Sequence, residues 1–159
     1  MVTSRTQRHT PTRDELRIWR EFRDTIERLN AQLASRLQQD SALSPGDYTV
    51  MLALTEAEGR RIRSSELAAE IGWERSRLSH HLGRMEQRGL IRREVCAEDT
   101  RGSEIVLTDD GFTAFRRATI PHLIAVRERF IDPLTADDLA TIARLTATWR
   151  DRLDEVETT

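Results

Sequence analysis

The chain has 159 residues, 38% of them hydrophobic and 33% charged, with a net charge of −2. That size suits one domain, or one domain extended by long helices, and no run of 18 apolar residues predicts a membrane span. The opening MVTSRTQRHTPTRDELR lacks the apolar segment of a signal peptide, which favours the cytoplasm, and the single cysteine, Cys96, can form neither an internal disulfide nor a metal site by itself.

Charge is unevenly spread. Between Arg60 and Arg101 there are 10 Arg against 7 Asp and Glu, a balance of +3 inside a frame of −5. A basic block within an acidic frame can steer one face towards phosphate. Every one of the 25 basic residues is arginine.

Residues 1–13 read as a flexible arm carrying Arg5, Arg8, His9 and Arg13. From Asp14 to about Gln39, Trp19, Phe22, Ile26, Leu29, Leu33 and Leu37 recur three or four apart, which predicts a helix about 39 Å long. Ser44-Pro45-Gly46-Asp47 opens a second helix, with serine as cap, proline in the first turn and Asp47 as the box partner. Its apolar positions are Tyr48, Met51, Leu52 and Leu54. Around Ile62 there is room only for a strand stub. Ser64 or Ser65 caps a short helix that Gly72 ends, and a longer helix follows from Arg75 to Arg88.

Arg92 to Ala97 and Glu104 to Leu107 predict a hairpin across the polar turn Glu98 to Gly102. Thr108 caps another long helix with Phe112, Phe115, Leu123, Val126 and Phe130 on one side, and Pro121 is expected to kink or split it. Thr135 caps the last helix, Leu134 stapling against Leu139, and Ile142, Leu145, Trp149, Leu153 and Val156 continue its apolar face. The fold class expected is mainly α with a small β wing.

The segment SELAAEIGWERSRLSHHLGRMEQRGL has the form of a helix-turn-helix. Leu67, Ala68 and Ile71 face inward from the first helix, and Leu78, Leu82 and Met85 from the second. At about 100° per residue, with Leu78 at zero, Ser76, His80, Arg84 and Arg77 fall between roughly 160° and 260°. Hydroxyl, imidazole and guanidinium groups therefore face away from the core, suited to base edges and phosphates in a major groove. Arg75 is in the first turn and can point past the end. His81 is on the boundary of the polar face, and Gly83 keeps that face low. A hairpin bearing Arg92, Arg93 and Arg101 provides a second basic element.

The stretch SSELAAEIGWERSRLSHHLGRMEQRGLIRREV, the turn EDTRG and the closing IVLTDDG resemble the MarR family of winged-helix transcription regulators. The resemblance runs from near Trp19 to near Val156. It implies that Arg75–Arg88 is the recognition helix and Arg92–Leu107 the wing. At the wing tip Asp99 and Arg101 match an Asp-x-Arg motif whose arginine enters the minor groove while the aspartate helps to hold it. PHLIAVRERFIDPLT resembles a subgroup in which proline and histidine recur in the fifth helix. The DNA-binding set expected is Arg75, Ser76, Arg77, Ser79, His80, Arg84, Arg92, Arg93, Asp99 and Arg101.

The ends carry more apolar stripe than a small winged domain can cover, and a second copy of the chain would bury it. The layout expected is an arm over 1–13, a dimerisation helix over 14–43, the winged domain over 44–110 and dimerisation helices over 111–159. Two recognition helices roughly 34 Å apart would meet successive major grooves, giving a palindromic double-stranded site. The resemblance also implies a cleft for a small aromatic or phenolic anion that relieves repression. Trp19, Phe22, Tyr48, Met51 and Trp73 are its candidate lining, with Arg17, Arg20 or Arg23 offering charge.

Other chemistry finds little footing. Adjacent His80 and His81 diverge around the helix and cannot clamp one metal, and Ser79 beside His80 makes no triad. There is no phosphate-binding glycine loop or dinucleotide fingerprint, so neither an enzyme nor a cofactor is expected. Cys96 reads as a small apolar strand residue. The alternative function is a helical protein-interaction or scaffold module that kept the fold without binding DNA. One positive band joining both recognition helices and both wings would separate the two.

Overall fold

A computed structural model of the chain describes residues 10–95 and 103–157. Cys96, Asp99, Arg101 and the turn Glu98 to Gly102 lie outside the described residues, as do Arg5, Arg8 and His9 of the arm. The elements run α1 (Arg13–Ser41), α2 (Pro45–Glu56), a 3-10 turn (Glu58–Arg60), β1 (Arg61–Arg63), α3 (Ser64–Glu70) and α4 (Arg75–Gln87). They continue with β2 (Ile91–Val95), β3 (Ser103–Leu107), α5 (Asp109–Val126), a π-turn (Arg127–Ile131) and α6 (Ala136–Glu157). The mainly helical class with a small β wing is therefore what the chain adopts. None of the described helices is long and apolar enough to cross a membrane.

Two compact units divide at Gln32 and Leu33. In the first, Thr12 and Glu15 form a reciprocal cap at the start of α1, backbone and hydroxyl of Thr12 donating to Glu15 Oε2 at 2.6 and 2.8 Å. Ile18, Trp19 and Phe22 stay exposed on α1.

The second unit holds the core. Leu37, Leu43, Val50, Met51, Leu54, Leu67, Leu78, Leu82, Met85, Ile91, Ile105 and Phe115 pack into one buried cluster. The box at α2 forms as expected, with Ser44 Oγ accepting from the Asp47 amide at 3.1 Å and Asp47 Oδ2 accepting from the Ser44 amide at 2.8 Å. Leu52 is exposed, whereas Val50 and Ala53 are buried beside Met51 and Leu54. With two sides of α2 covered, the inward face is wider than one stripe.

Neither Ser64 nor Ser65 caps α3, contrary to expectation. The helix begins at Ser64 itself, Arg63 flanks it with extended geometry, and no side chain closes the end. Strand β1 passes straight into the helix, leaving no residue between them for a serine cap. At the other end Gly72, at φ +64°, donates to Ala69 O while Trp73 donates to Ala68 O. This is a Schellman close, which a left-handed glycine makes possible at no steric cost. Gly89 ends α4 the same way, with Leu90 donating to Met85 O.

The three strands form one antiparallel sheet in the order β1-β3-β2. Ile62 pairs with Ile105, and Arg93 with Ile105 from the other side. The stub at Ile62 is thus the third strand that ties the hairpin to the helices.

Thr108 caps α5 by accepting from the Gly111 amide at 2.9 Å. Pro121 does not split α5, which continues to Val126 before widening into the π-turn. A proline removes one backbone donor, and 18 residues of helix tolerate that single loss here. The buried face of α5 is Gly111, Phe115, Ala118 and Ala125, whereas Leu123, expected beside Phe115, is exposed together with Ile120 and Ile124. Thr135 and Asp138 close the start of α6 reciprocally. Leu145, Trp149 and Leu153 are exposed along α6, so they are no core of the single chain.

Candidate nucleic-acid interface

Helix α4 is amphipathic in the sense expected. Leu78, Leu82 and Met85 are at most 1% exposed and anchor it in the core. Arg75, Ser76, Arg77, Ser79, His80 and Arg84 are all exposed. At Gly83 a Cβ would meet nothing within 4 Å, so that position keeps the outer surface low. The Arg77 guanidinium lies 4.1 Å over the ring of Trp73, a cation–π contact that restrains it at the mouth of the turn.

Beneath that face is a polar cluster that sequence reasoning missed. Asp47, only 2% exposed, accepts from Arg88 Nη1 at 2.7 Å, and Arg88 Nη2 donates to Ala42 O at 3.0 Å. His81 Nε2 stands 3.1 Å from Asp47 Oδ1, close enough to pair electrostatically but off the line of a hydrogen bond. On its other side, Arg84 Nη2 lies 3.0 Å from His81 Nδ1. The Trp73 ring meets the imidazole edge-on at 5.2 Å. Gly46 makes this packing possible, since a Cβ there would sit 2.8 Å from His81 Cε1 and 2.9 Å from Trp73 Cη2.

These contacts set the protonation of the cluster. Burial alone would raise the Asp47 carboxyl, but the Arg88 hydrogen bond and those from the Ser44 backbone and hydroxyl outweigh it and leave it lowered. Burial pushes the His81 imidazole down, and Arg84 and Arg88 add to that against the opposing pull of Asp47. Helical periodicity alone puts His81 on the boundary of the polar face. It is instead a buried member of the cluster, because α2 covers that side of the helix.

The wing arginines are braced. Arg93 Nη2 donates to Ser79 O at 3.0 Å, and its amide donates to Glu86 Oε1 at 3.1 Å, which ties β2 to α4. Arg92 Nε donates to Glu94 Oε1 at 2.7 Å. Arg61 pairs with both Glu94 and Glu104 across the sheet, at 3.5 and 3.2 Å.

Of the five candidate ligand residues, Trp19 and Phe22 belong to the first unit and Tyr48, Met51 and Trp73 to the second. Met51 is wholly buried in the core, and Trp73 serves the polar cluster. Tyr48 packs on Phe115 and His122, with ring centroids 5.0 and 4.6 Å apart. His122 Nδ1 is buried without a hydrogen-bond partner, and burial lowers the imidazole pKa. An open groove of about 770 Å³ runs beside α5, lined by Thr55, Phe112, Phe115, Arg116, Arg117 and Ile120 among others.

A helix pair closed by a tight glycine turn, followed by an antiparallel hairpin and joined by a third strand, is a winged helix-turn-helix. That architecture defines a class of double-stranded DNA-binding proteins. The sequence model of the MarR family matches residues 43–102. The chain is 32% identical over 123 residues to the transcriptional regulator HosA of Escherichia coli O157:H7, covering 72% of this chain and 88% of that protein. It is similar to the structure of AbsC, a MarR family transcriptional regulator from Streptomyces coelicolor, at 35% identity and a TM-score of 0.85, covering 92% and 99% of the two chains. Sco3205 from the same organism, solved in complex with DNA, gives 33% identity, a TM-score of 0.86 and 91% coverage of each chain. The protein belongs to the MarR family and is a DNA-binding transcription regulator.

Proposed function

We propose that the protein is a homodimeric repressor that binds a palindromic double-stranded site and is released from it by a small aromatic anion. The observation that carries DNA reading is the outer face of α4. Six polar side chains, three of them arginines, stand exposed on a helix whose opposite side is sealed in the core. Such a helix presents donors to major-groove edges and to the phosphates beside them. Arg92 and Arg93 in the wing strand add charge next to it. Asp99 and Arg101 belong to the reading through their match to the family's wing-tip motif.

Dimerisation is supported by apolar surface that the single chain leaves uncovered. Ile120, Leu123 and Ile124 on α5 and Leu145, Trp149 and Leu153 on α6 are each at least 37% exposed. Burying such stripes against a second copy is favourable at about 25 cal/mol per Å² of apolar surface. Two-fold pairing would present two copies of α4, which suits a palindrome. The aromatic anion is supported by the groove beside α5, where phenylalanine rings and two arginines share one lining.

The test is selection of bound duplexes from a random pool. A two-fold symmetric consensus is the expected result. An enriched sequence without symmetry would remove the dimeric reading, and no enrichment at all would remove site-specific binding.

A further inference from the structure

Arg84 contacts His81 one turn earlier on α4. Arg84 is exposed on the outer face of α4, yet one of its guanidinium nitrogens is held 3.0 Å from the Nδ1 of a buried imidazole one turn away. A guanidinium has only donors. Nδ1 must therefore be the acceptor, and the ring must be neutral with its proton on Nε2, the nitrogen that stands 3.1 Å from Asp47 Oδ1. The imidazole is itself fixed from every side. Asp47 of α2 and the edge-on Trp73 ring confine it, and Gly46 leaves just the room it needs. Asp47 is in turn fixed by Ser44 and Arg88.

We infer that His81 is a positioning residue for sequence reading: as a neutral imidazole with its proton on Nε2, it holds the Arg84 guanidinium in the orientation that meets a base edge. The inference rests on the proposal that α4 reads DNA, and adds which of its arginines is pre-oriented and by what. A free arginine side chain must lose rotamer freedom on binding, whereas a held one has lost part of it already. One N–H of five is spent on Nδ1, which leaves a fork able to address guanine O6 and N7.

Protonation would undo the arrangement. An imidazolium has a proton on both nitrogens, cannot accept from Arg84, and repels it. The charged groups that act on the ring are Asp47 from α2 and Arg84 and Arg88 from α4; the turn contributes the uncharged Trp73. Burial is the largest influence and disfavours the imidazolium, so Arg84 is held at neutral pH and released on acidification below His81's ordinary value of 6.5.

The experiment compares binding to the duplex recovered by selection with binding to a scrambled duplex of equal composition, with His80 kept in every variant so that only position 81 or 84 differs. Arg84→Ala should lower the preferred-to-scrambled ratio about five- to hundredfold. His81→Leu should lower it by a similar factor, and should cost nothing further when Arg84 is already alanine, because it acts through Arg84. His81→Asn places an amide oxygen where Nδ1 stood and should retain most of the ratio. The chain with His81 intact should lose the ratio as pH falls below about 6.5, while His81→Asn should not. Nitrogen-15 NMR of the unsubstituted protein should give the Nε2–H tautomer for His81, a readout that needs no folded variant.

Additive losses from His81→Leu and Arg84→Ala would overturn the inference, as would an Nδ1–H tautomer. So would a His81→Leu variant that weakens both duplexes alike. Those results leave α4 as a DNA-reading helix intact; failure to recover any preferred duplex would strike the underlying reading instead.

Discussion

Arg88, the residue that closes α4, reaches back to Asp47 in the first turn of α2, Nη1 to Oδ2 at 2.7 Å. Asp47 is 2% exposed, so a carboxylate lies buried between α2 and α4, the helix proposed to read DNA. Its second oxygen faces His81, and its amide is held by Ser44. One residue therefore caps α2 and fixes how α4 lies against it.

Arg88→Ala should destabilise the fold by about 3 kcal/mol, because it leaves a buried carboxylate without its cation. Asp47→Ala removes the charge along with its reciprocal cap and should cost about 2–4 kcal/mol. Replacement of Arg92, whose bond to Glu94 is exposed, should cost under about 1 kcal/mol. Urea midpoints at one fixed protein concentration would rank the three. An Arg88 variant as stable as the Arg92 variant would contradict the role assigned to the pair.

Acid should weaken the fold in two stages. His81 and His122 both have lowered values, so the folded chain resists a proton that the unfolded chain takes up near 6.5. Their contribution is complete above about 6.5 and falls away as pH drops through the lowered values. Asp47 is a lowered carboxyl, so its contribution holds above its ordinary 3.8 and is lost only as pH falls through its own lowered value. Denaturation midpoints between about pH 8 and 5 should therefore decline, and His81→Asn with His122→Asn should flatten that decline. An unchanged decline in the double variant would place the titration elsewhere.

Much of this was legible in the sequence because it is local. Ser44 and Asp47 are three apart, Leu78, Leu82 and Met85 share one face, and Gly72 must end a helix; a linear pattern carries all of that. The polar cluster was not legible. Asp47 meets His81 and Arg88 only after α2 packs on α4, across 34 and 41 residues of chain. A helical wheel put His81 at the edge of the polar face because it represents one helix and not the neighbour that covers it. The same periodicity groups Leu123 with Phe115, whereas Ala118 and Ala125 take the buried positions of α5 and Leu123 stays exposed. Neither Ser64 nor Ser65 caps α3 because β1 runs directly into it, and a linear pattern does not show at which residue a strand stub gives way to a helix.

The exposed stripes on α5 and α6 give a direct prediction. Light scattering should report twice the 18.4 kDa chain mass at micromolar concentration. Leu123→Glu and Trp149→Glu should shift that towards one chain mass, and DNA binding should weaken with it, since only a dimer places two recognition helices on one site. An intact protein that scatters as a single chain would remove the dimeric reading.

The central claim is that the outer face of α4 reads sequence and does more than hold phosphate. Binding isotherms for Arg77→Ala and His80→Ala, on the selected duplex and on a scrambled one at several salt concentrations, test it most directly. Where a side chain meets a base, the loss should be about 1–3 kcal/mol larger on the selected duplex. Arg101→Ala, expected from the family resemblance to act in the minor groove, should weaken both duplexes by similar factors and reduce the salt slope. If every α4 substitution left the ratio of the two affinities unchanged, that helix would be a phosphate clamp and the account would be wrong.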